Sequence, residues 1–530
     1  MLYIYMFKIN TSIPQSNVEM IHSEIIKPIQ KHDGANGGSC TFIFRPIGTL
    51  DLDTSVKIKV VSSVANRFLP THIGIASVLK SATLRSQGGV IIAQNTNFPA
   101  WCAIKNAMTH VSVKKRVLTG KHGFIETFKP SEAGTFGTAA TALGKISVDL
   151  GDGYTYATPY LEAGGELTDD RYSNYVITND ANTTAEFVIS LADMFPYAKN
   201  ITSGLPLDLI QDEISLVLEF SQNGTRSQNN ERVIVRNDAT AGDFTCNVVL
   251  DSLELLCDYI IYKDQSRTAS EIYSPQGKML HYSDLNWSLY NMEGLPATAN
   301  VRNLKKYNFN LSLTNSSVRQ MYLSFSPSPV DSATQDLDAN GGVQRYNTIS
   351  CLHGHWGSRC PTNLEDGFKF NIRINQKLVF QEKLQNFGEY VNQLENAFGS
   401  RYYEPYSCFC NMDNVGEDGD AAVALGIINP NKGDISNQAQ LLRWVQNTAL
   451  TGDKFFLGVD LEKKLLMPSG DLKRQSIPGS GMKIGEAPIN IDLEVLHKQN
   501  KNNDKRKLNV CCVLEKNLLI KNGALMVLGS

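Results

Sequence analysis

Along much of this chain apolar and polar residues alternate one by one, the pattern that sets one row of side chains in a core and the next in solvent. In residues 54–61 (TSVKIKVV), Val56, Ile58 and Val60 share one side while Lys57 and Lys59 take the other. Residues 213–220 (EISLVLEF) do the same with Ile214, Leu216, Leu218 and Phe220. So do 306–313 (KYNFNLSL), 368–374 (FKFNIRI) and 487–495 (APINIDLEV). Each predicts a half-buried strand. The stretches between strands, such as 221–231 (SQNGTRSQNNE) and 326–342, carry Gly, Asn, Asp, Ser and Pro, the residues that supply turn conformations.

Helical spacing is confined to three short stretches. Residues 97–109 align Trp101, Ile104, Lys105 and Met108. Residues 384–398 align Phe387, Val391, Leu394 and Phe398, and residues 435–450 align Leu441, Leu442, Val445 and Ala449. Each predicts a helix that caps a sheet edge or a barrel end. The longest strand-poor break spans about 263–300, and strand patterns resume at 301. The organisation expected is a polar N-terminal arm over 1–40, a first β-domain over 41–265, a linker over 266–300 and a second β-domain over 301–530. No sequence repetition relates the two halves.

Composition narrows the function. With 530 residues, two all-β domains are the natural division, and each can bury a full core. A formal net charge of -3 gives no global field to draw in nucleic acid or an anionic membrane. Specific nucleic-acid binding is therefore not expected. The N-terminal MLYIYMF is apolar for too few residues, and lacks the basic flank, to read as a secretory signal. No stretch reaches the roughly 20 apolar residues of a membrane helix. Ten cysteines at irregular spacing, with Cys511 and Cys512 adjacent in an apolar run, read as reduced and mostly buried thiols. Asn-x-Ser/Thr sequons at Asn182, Asn200, Asn223 and Asn310 are no more than this composition supplies by chance.

Candidate chemistry is thin. GTAATALGK at 137–145 is no phosphate loop, because Ala139 stands where its first glycine should be and Ile146 where its hydroxyl should be. PGSGMKIG at 478–485 does not fit a dinucleotide fingerprint, and no G-x-S-x-G nucleophile elbow occurs. DNVGEDGD at 413–420 lacks the ligand alternation of a calcium loop and reads as a solvated loop. The basic stretch 498–507 (KQNKNNDKRK) has no aromatic residues for base stacking and reads as a charged hairpin loop between two apolar strands. The densest set of metal-capable side chains is Cys351, His353, His355 and Cys360, to which Cys408 and Cys410 could add. Its spacing matches no familiar zinc site, and alternate residues of an extended segment face opposite ways. No catalytic, cofactor-binding or metal-binding residue is assigned, and no cofactor is expected; Cys351 to Cys360 is the one segment where an ion would be sought.

The order of segments carries a resemblance. Residues 71–93 (THIGIASVLKSATLRSQGGVIIA) look like a strand followed by a Gly-Gly turn, and 97–109 like the short helix after it. Residues 186–220 run from an apolar strand through a loop ending in Leu205-Pro206-Leu207 to a long amphipathic strand, and 253–262 (LELLCDYIIY) look like the strand leaving a first barrel. Residues 317–325 (SVRQMYLSF) and 368–380 (FKFNIRINQKLVF) are similar to strands that open a second barrel. The ending, 508–529 (LNVCCVLEKNLLIKNGALMVLG), resembles a terminal strand with an Asn-Gly turn before a last apolar run. In this order the chain resembles the double jelly-roll major capsid proteins of the lineage spanning adenoviruses, tailless phages and large DNA viruses. The likeness is strongest to virophage and polinton-like members. It departs from the large-virus branch at Lys516-Asn517, where an aromatic-asparagine signature would stand.

That resemblance implies an all-β chain with a few short helices, built as two tandem eight-stranded jelly-roll sandwiches. It implies a non-enzymatic shell protein that forms homotrimers of pseudo-hexagonal outline, packs against neighbouring capsomers, penton and minor capsid proteins, and resides in the virion. Long segments at 263–300, 326–366 and 399–435 would form outer towers and seals, with the 1–40 arm at the base. Alternative readings are a minor, vertex or attachment virion protein, against which two full β-halves argue, and a β-rich carbohydrate-binding protein or glycosidase. The latter would call for a signal peptide and paired carboxylates in a cleft.

Overall fold

The structure, a computed structural model, describes residues 18–29, 38–51, 54–62, 67–68, 74–107, 121, 127–130, 146–149, 155–157, 176–178, 184–196, 204–221, 235–236, 246–248, 253–292, 303–313, 316–327, 367–385, 387–398, 456–462, 481–497 and 506–529. The helix expected at 435–450, the loops at 326–342 and 413–420, and Cys351, His353, His355, Cys360, Cys408 and Cys410 lie outside them.

The first half opens with β1 (Val18–Ile26), β2 (Ser39–Ile43), β3 (Thr49–Leu50), β4 (Ser55–Ser62), β5 (Leu79–Ser86), β6 (Ile91–Asn95) and helix α1 (Phe98–Ala107). It continues through β7 (Thr184–Ser190), β8 (Leu205–Pro206), β9 (Ile214–Phe220), β10 (Cys246–Val248) and β11 (Glu254–Tyr262). One sheet runs β7-β4-β11-β3-β8, with β1 along β11 and β10 beside β4; the facing sheet runs β2-β9-β5-β6. Among the described residues the strand pairings in both sheets are antiparallel. The alternation read from the sequence sets the inner faces: Val56, Ile58 and Val60 of one sheet and Leu216, Leu218 and Phe220 of the other are all buried. Lys57 and Lys59 turn outward, where they pair with Glu186 on β7.

Helix α2 (Ser266–Ile272) leads to the second half: β12 (Lys278–Met292), β13 (Asn303–Leu311), β14 (Ser317–Pro327), β15 (Gly367–Ile374), β16 (Lys377–Leu378) and helix α3 (Phe387–Phe398). Then come β17 (Phe456–Asp460), β18 (Met482–Lys483), β19 (Ile489–His497), β20 (Arg506–Lys521) and β21 (Ala524–Gly529). Its sheets run β12-β20-β14-β17, with β18 on β14 and β21 on β20, and β13-β19-β15-β16. The turn into β21 is Asn522-Gly523, both at positive φ (52° and 78°), the geometry a tight two-residue hairpin needs.

Laid side by side, the halves repeat one topology. In each, the first strand lies along the last (β1 on β11, β12 on β20), and the last strand also pairs with β4 or β14. Those in turn pair with β7 or β17. The opposing sheets correspond as β2-β9-β5-β6 and β13-β19-β15-β16, and a helix, α1 or α3, follows the fourth strand of each. Two antiparallel sheets packed over one core, connected in this order, make a jelly roll, and the chain contains two. The fold class read from the sequence is the one observed.

Two readings need correction. The stretch 263–300, expected to be strand-poor, holds β12, a strand of 15 residues paired with β20 from Lys278↔Ile520 to Met292↔Arg506. The second barrel therefore opens with β12 and β13, not with the strands at 317–325 and 368–380. The basic stretch 498–507 joins no hairpin either. Strand β19 before it and β20 after it belong to opposite sheets, and Arg506 and Lys507 already sit in β20.

Candidate functional site: the seam between the barrels

Among the described residues no sheet contains strands from both halves, and what joins one barrel to the other is a seam of side chains. Its centre is β12 laid against β6. Tyr282 Oη donates to the carbonyl of Ile92 at 2.6 Å, and the backbone N–H of Gln94 donates to Asp284 Oδ1 at 3.0 Å. Trp287 Nε1 donates to Asn95 Oδ1 at 3.1 Å, while Asn95 Nδ2 donates to the carbonyl of Met194 at 3.0 Å. Asn95 and Tyr282 are fully buried, so each polar atom taken from water has a named partner. The second oxygen of Asp284 meets Lys516 Nζ.

Around these bonds lies a continuous apolar layer. Trp101 of α1 tilts against Tyr322 of β14 with ring centroids 6.5 Å apart. Leu285, Cys511, Val513, Tyr322, Leu394, Ala397 and Phe456 of the second half join one buried cluster with the core of the first. A Cβ at Gly458 would stand 2.6 Å from Leu394 Cδ1, so α3 reaches this layer only because β17 carries glycine there. Farther along, Gln211 of the first half donates its N–H to the carbonyl of Gly523 in the β20–β21 turn.

We expect Tyr282→Phe, which keeps the ring and removes the donor from a buried carbonyl, to cost about 1–3 kcal/mol. A lowered urea midpoint with unchanged far-ultraviolet dichroism would show it; an unchanged midpoint would refute the role of that bond.

A buried ionic group braces the second barrel beside the seam. Strand β14 carries a bulge at Arg319, where its register against β20 shifts. A bulge re-aims the side chain it releases. Arg319 Nη1 donates to Ser283 Oγ at 2.9 Å, Nη2 lies 3.3 Å from Glu515 Oε1, and Nε lies 3.5 Å from Glu462 Oε1. Ser317 Oγ donates to Glu515 Oε2 at 3.0 Å. These contacts close around a structural cation, the Arg319 side chain being only 5% exposed.

Catalytic geometry is not what the described residues assemble. An open cleft of about 330 Å³ at one end of the first barrel is lined by Thr41, Ile43, Arg85, Glu213 and Ser215, with no His or Cys among its lining. Among the described residues no group of three or more His, Cys, Asp or Glu side chains is placed to hold a metal ion. The described cysteines Cys40, Cys102, Cys257, Cys511 and Cys512 are free and buried, and burial raises all five thiols, Cys40 to about 12 and Cys257 to about 11. They are packing groups held as thiols. Sequence reasoning anticipated their burial but not the seam, whose polar anchors carry no recognisable motif.

Fold and seam together define a double jelly-roll chain, two barrels joined through one buried seam. The same architecture occurs in a chain of the cryo-EM structure of the Sputnik virophage, with a TM-score of 0.52 and 12% sequence identity over 96% of this chain and 88% of that one. The mavirus major capsid protein (TM-score 0.49, 12% identity, 95% and 89% covered) and a chain of the PBCV-1 virus capsid (0.49, 12%, 96% and 97%) are also similar. No protein-family model matches the sequence, and no curated protein does.

Proposed function

We propose that this chain is the major capsid protein of an icosahedral DNA virus, a non-enzymatic shell protein that assembles as homotrimers. The observation that carries this reading is the double jelly roll itself, shared along nearly the whole chain with the Sputnik virophage chain. The seam supports it. Two barrels of one topology, joined through that seam, give each copy two near-equivalent corners, and three copies then give a pseudo-hexagonal outline with closed symmetry. The domain limits that go with this reading are one barrel from β1 through β11, a connector containing α2 and a second barrel from β12 onward; the arm read over 1–40 is then shorter, because Val18–Ile26 pairs within the first barrel. Neighbouring capsomers, penton proteins and minor capsid proteins are the partners such a capsomer meets, and the virion is where it resides.

The test is the mass of the purified chain in solution. A stable species of three times 58.6 kDa, about 176 kDa, with hexagonal particles in electron micrographs is the expected result. A monomer at high protein concentration would refute it.

A further inference from the structure

Strand β21 ends the second barrel with Ala524-Leu525-Met526-Val527-Leu528-Gly529. It takes over from β14 along β20: Glu515 lies opposite Ser317 of β14, and the next residue, Lys516, lies opposite Gly529. Among the described residues β21 is bonded to β20 alone, so its other edge presents unpaired N–H and C=O groups. Proteins blunt such an edge with charge, with proline or with a covering segment. Strand β21 contains no charge and no proline.

Both rows of β21 are apolar. Leu525 is buried on one side, and Val527 packs against the core beside it. On the other side Met526 lies opposite Leu519, which lies opposite Met279 of β12, and Leu528 continues the row. Met279 is 46%, Met526 47% and Leu528 36% exposed. Farther along β12, Leu285 is buried in the seam, so this patch is the seam's open continuation.

The chain's own N-terminus matches that strand. Residues 2–7 (LYIYMF) carry no charge and no proline, and alternate Leu2, Ile4 and Met6 with Tyr3, Tyr5 and Phe7. Residues 1–17 lie outside the described residues, and the described chain starts at Val18, opposite Tyr262. From Tyr262 a short link leads to α2, where the Ile272 carbonyl accepts the N–H of Asn522, in the turn before β21. Link and helix place that turn at most about 35 Å from Val18, and the stretch from Phe7 to Val18 extends to about 38 Å. The arm is long enough to lie along β21 of its own chain.

We propose that residues 2–7 add to the free edge of β21 as an antiparallel strand, a strap from the opening strand of the first barrel to the last strand of the second. The direction follows from the entry point. The arm arrives at the Asn522-Gly523 turn, so Phe7 lies by Ala524 and Leu2 by Gly529. Ile4 and Met6 then extend the buried row of Val527 and Leu525. Tyr3 and Tyr5 lay their rings beside Leu528 and Met526 and keep their hydroxyls in water. Main-chain bonds to the edge supply affinity, and alternating side chains set the register. The tether holds the arm at roughly millimolar local concentration, so a weak intrinsic affinity suffices.

This inference does not rest on the trimer reading. Tyr5→Cys/Met526→Cys is made in the full chain, oxidised with diamide and digested for mass spectrometry. Tyr5→Cys/Leu289→Cys is the control, pairing the arm with a leucine of β12 that is more exposed than Met526. We expect a disulfide between positions 5 and 526 within one chain, running at 58.6 kDa on a denaturing gel, and none in the control. A link between two chains, at twice 58.6 kDa, assigns the edge to a second copy and overturns the strap. No link, or equal linking in the control, overturns it as well. A second measurement needs no added thiol. Deleting residues 2–7 should raise hydroxyl-radical oxidation of Met526 and hydrogen exchange across 524–529 several-fold, with dichroism unchanged. Equal rates in the parent and the shortened chain overturn the proposal; should the shortened chain fail to fold, the disulfide decides.

Discussion

Arg319→Met is expected to destabilise the second barrel by roughly 3–5 kcal/mol, among the largest effects of any single substitution outside the apolar cores. The guanidinium is 5% exposed and holds Glu515 (1%) and Glu462 (14%) within 3.5 Å. Removing it leaves two carboxylates to confront each other with little water to separate them. Because folded domains hold a margin of only about 5–15 kcal/mol, a loss of this size should lower the yield of assembled protein as well as the denaturant midpoint. The charge mechanism makes a second claim. Adding Glu515→Leu and Glu462→Leu to Arg319→Met should restore much of the loss, since an apolar replacement of a whole buried ionic group is often neutral. A single variant that costs less than about 1 kcal/mol, or a triple variant less stable than the single one, would refute it.

Alkaline pH should act on both barrels at once. An ordinary thiol loses its proton near pH 9; burial moves Cys40 to about 12 and Cys257 to about 11 in the folded chain. Their contribution is present in full below pH 9, where both states hold the proton. It is lost as pH rises through 11 and 12, where only the unfolded chain has ionised. Tenfold in proton affinity is worth about 1.4 kcal/mol, so these two thiols together withdraw roughly 7 kcal/mol across that window. Cys102, Cys511 and Cys512, and the buried phenols of Tyr259 and Tyr322, shift upward for the same reason and add to it. Thermal melts at rising pH should hold steady to about 9 and then fall steeply, less so in a Cys40→Ala/Cys257→Ala variant. A melting temperature flat to pH 11 would contradict the burial argument.

What the sequence made legible follows from where alternation survives. Strands β4, β9, β15 and β19 have one wet face and one dry face, so their side chains record the fold directly. Strand β12 has neither. Ser283 is buried against Arg319 of its own barrel and Asp284 is buried and bonded across the seam, so the expected rhythm breaks and the stretch reads as a loop. The duplication was hidden for a related reason. Equivalent pairs such as Leu50–Leu205 and Val318–Met482 share apolar bulk rather than identity, which register needs and sequence comparison does not detect. Charge in 498–507 located a polar connection but could not say which sheets it joins. The Cys351–Cys360 cluster lies outside the described residues, and its metal reading has gained no support from the fold.

The pairing of first strand with last carries a consequence for synthesis. Strand β1 finds its partner only when residues 254–262 have emerged, and β12 waits for residues 506–520 near the end of the chain. Contacts closed over more than 200 residues make folding slow, because loop closure is opposed by entropy before any burial rewards it. On the ribosome the first barrel can close while the second is still being made. It would then offer β6 and α1 as a ready wall for β12. The seam would act as a template, holding the second barrel's opening strand in place until its closing strand arrives.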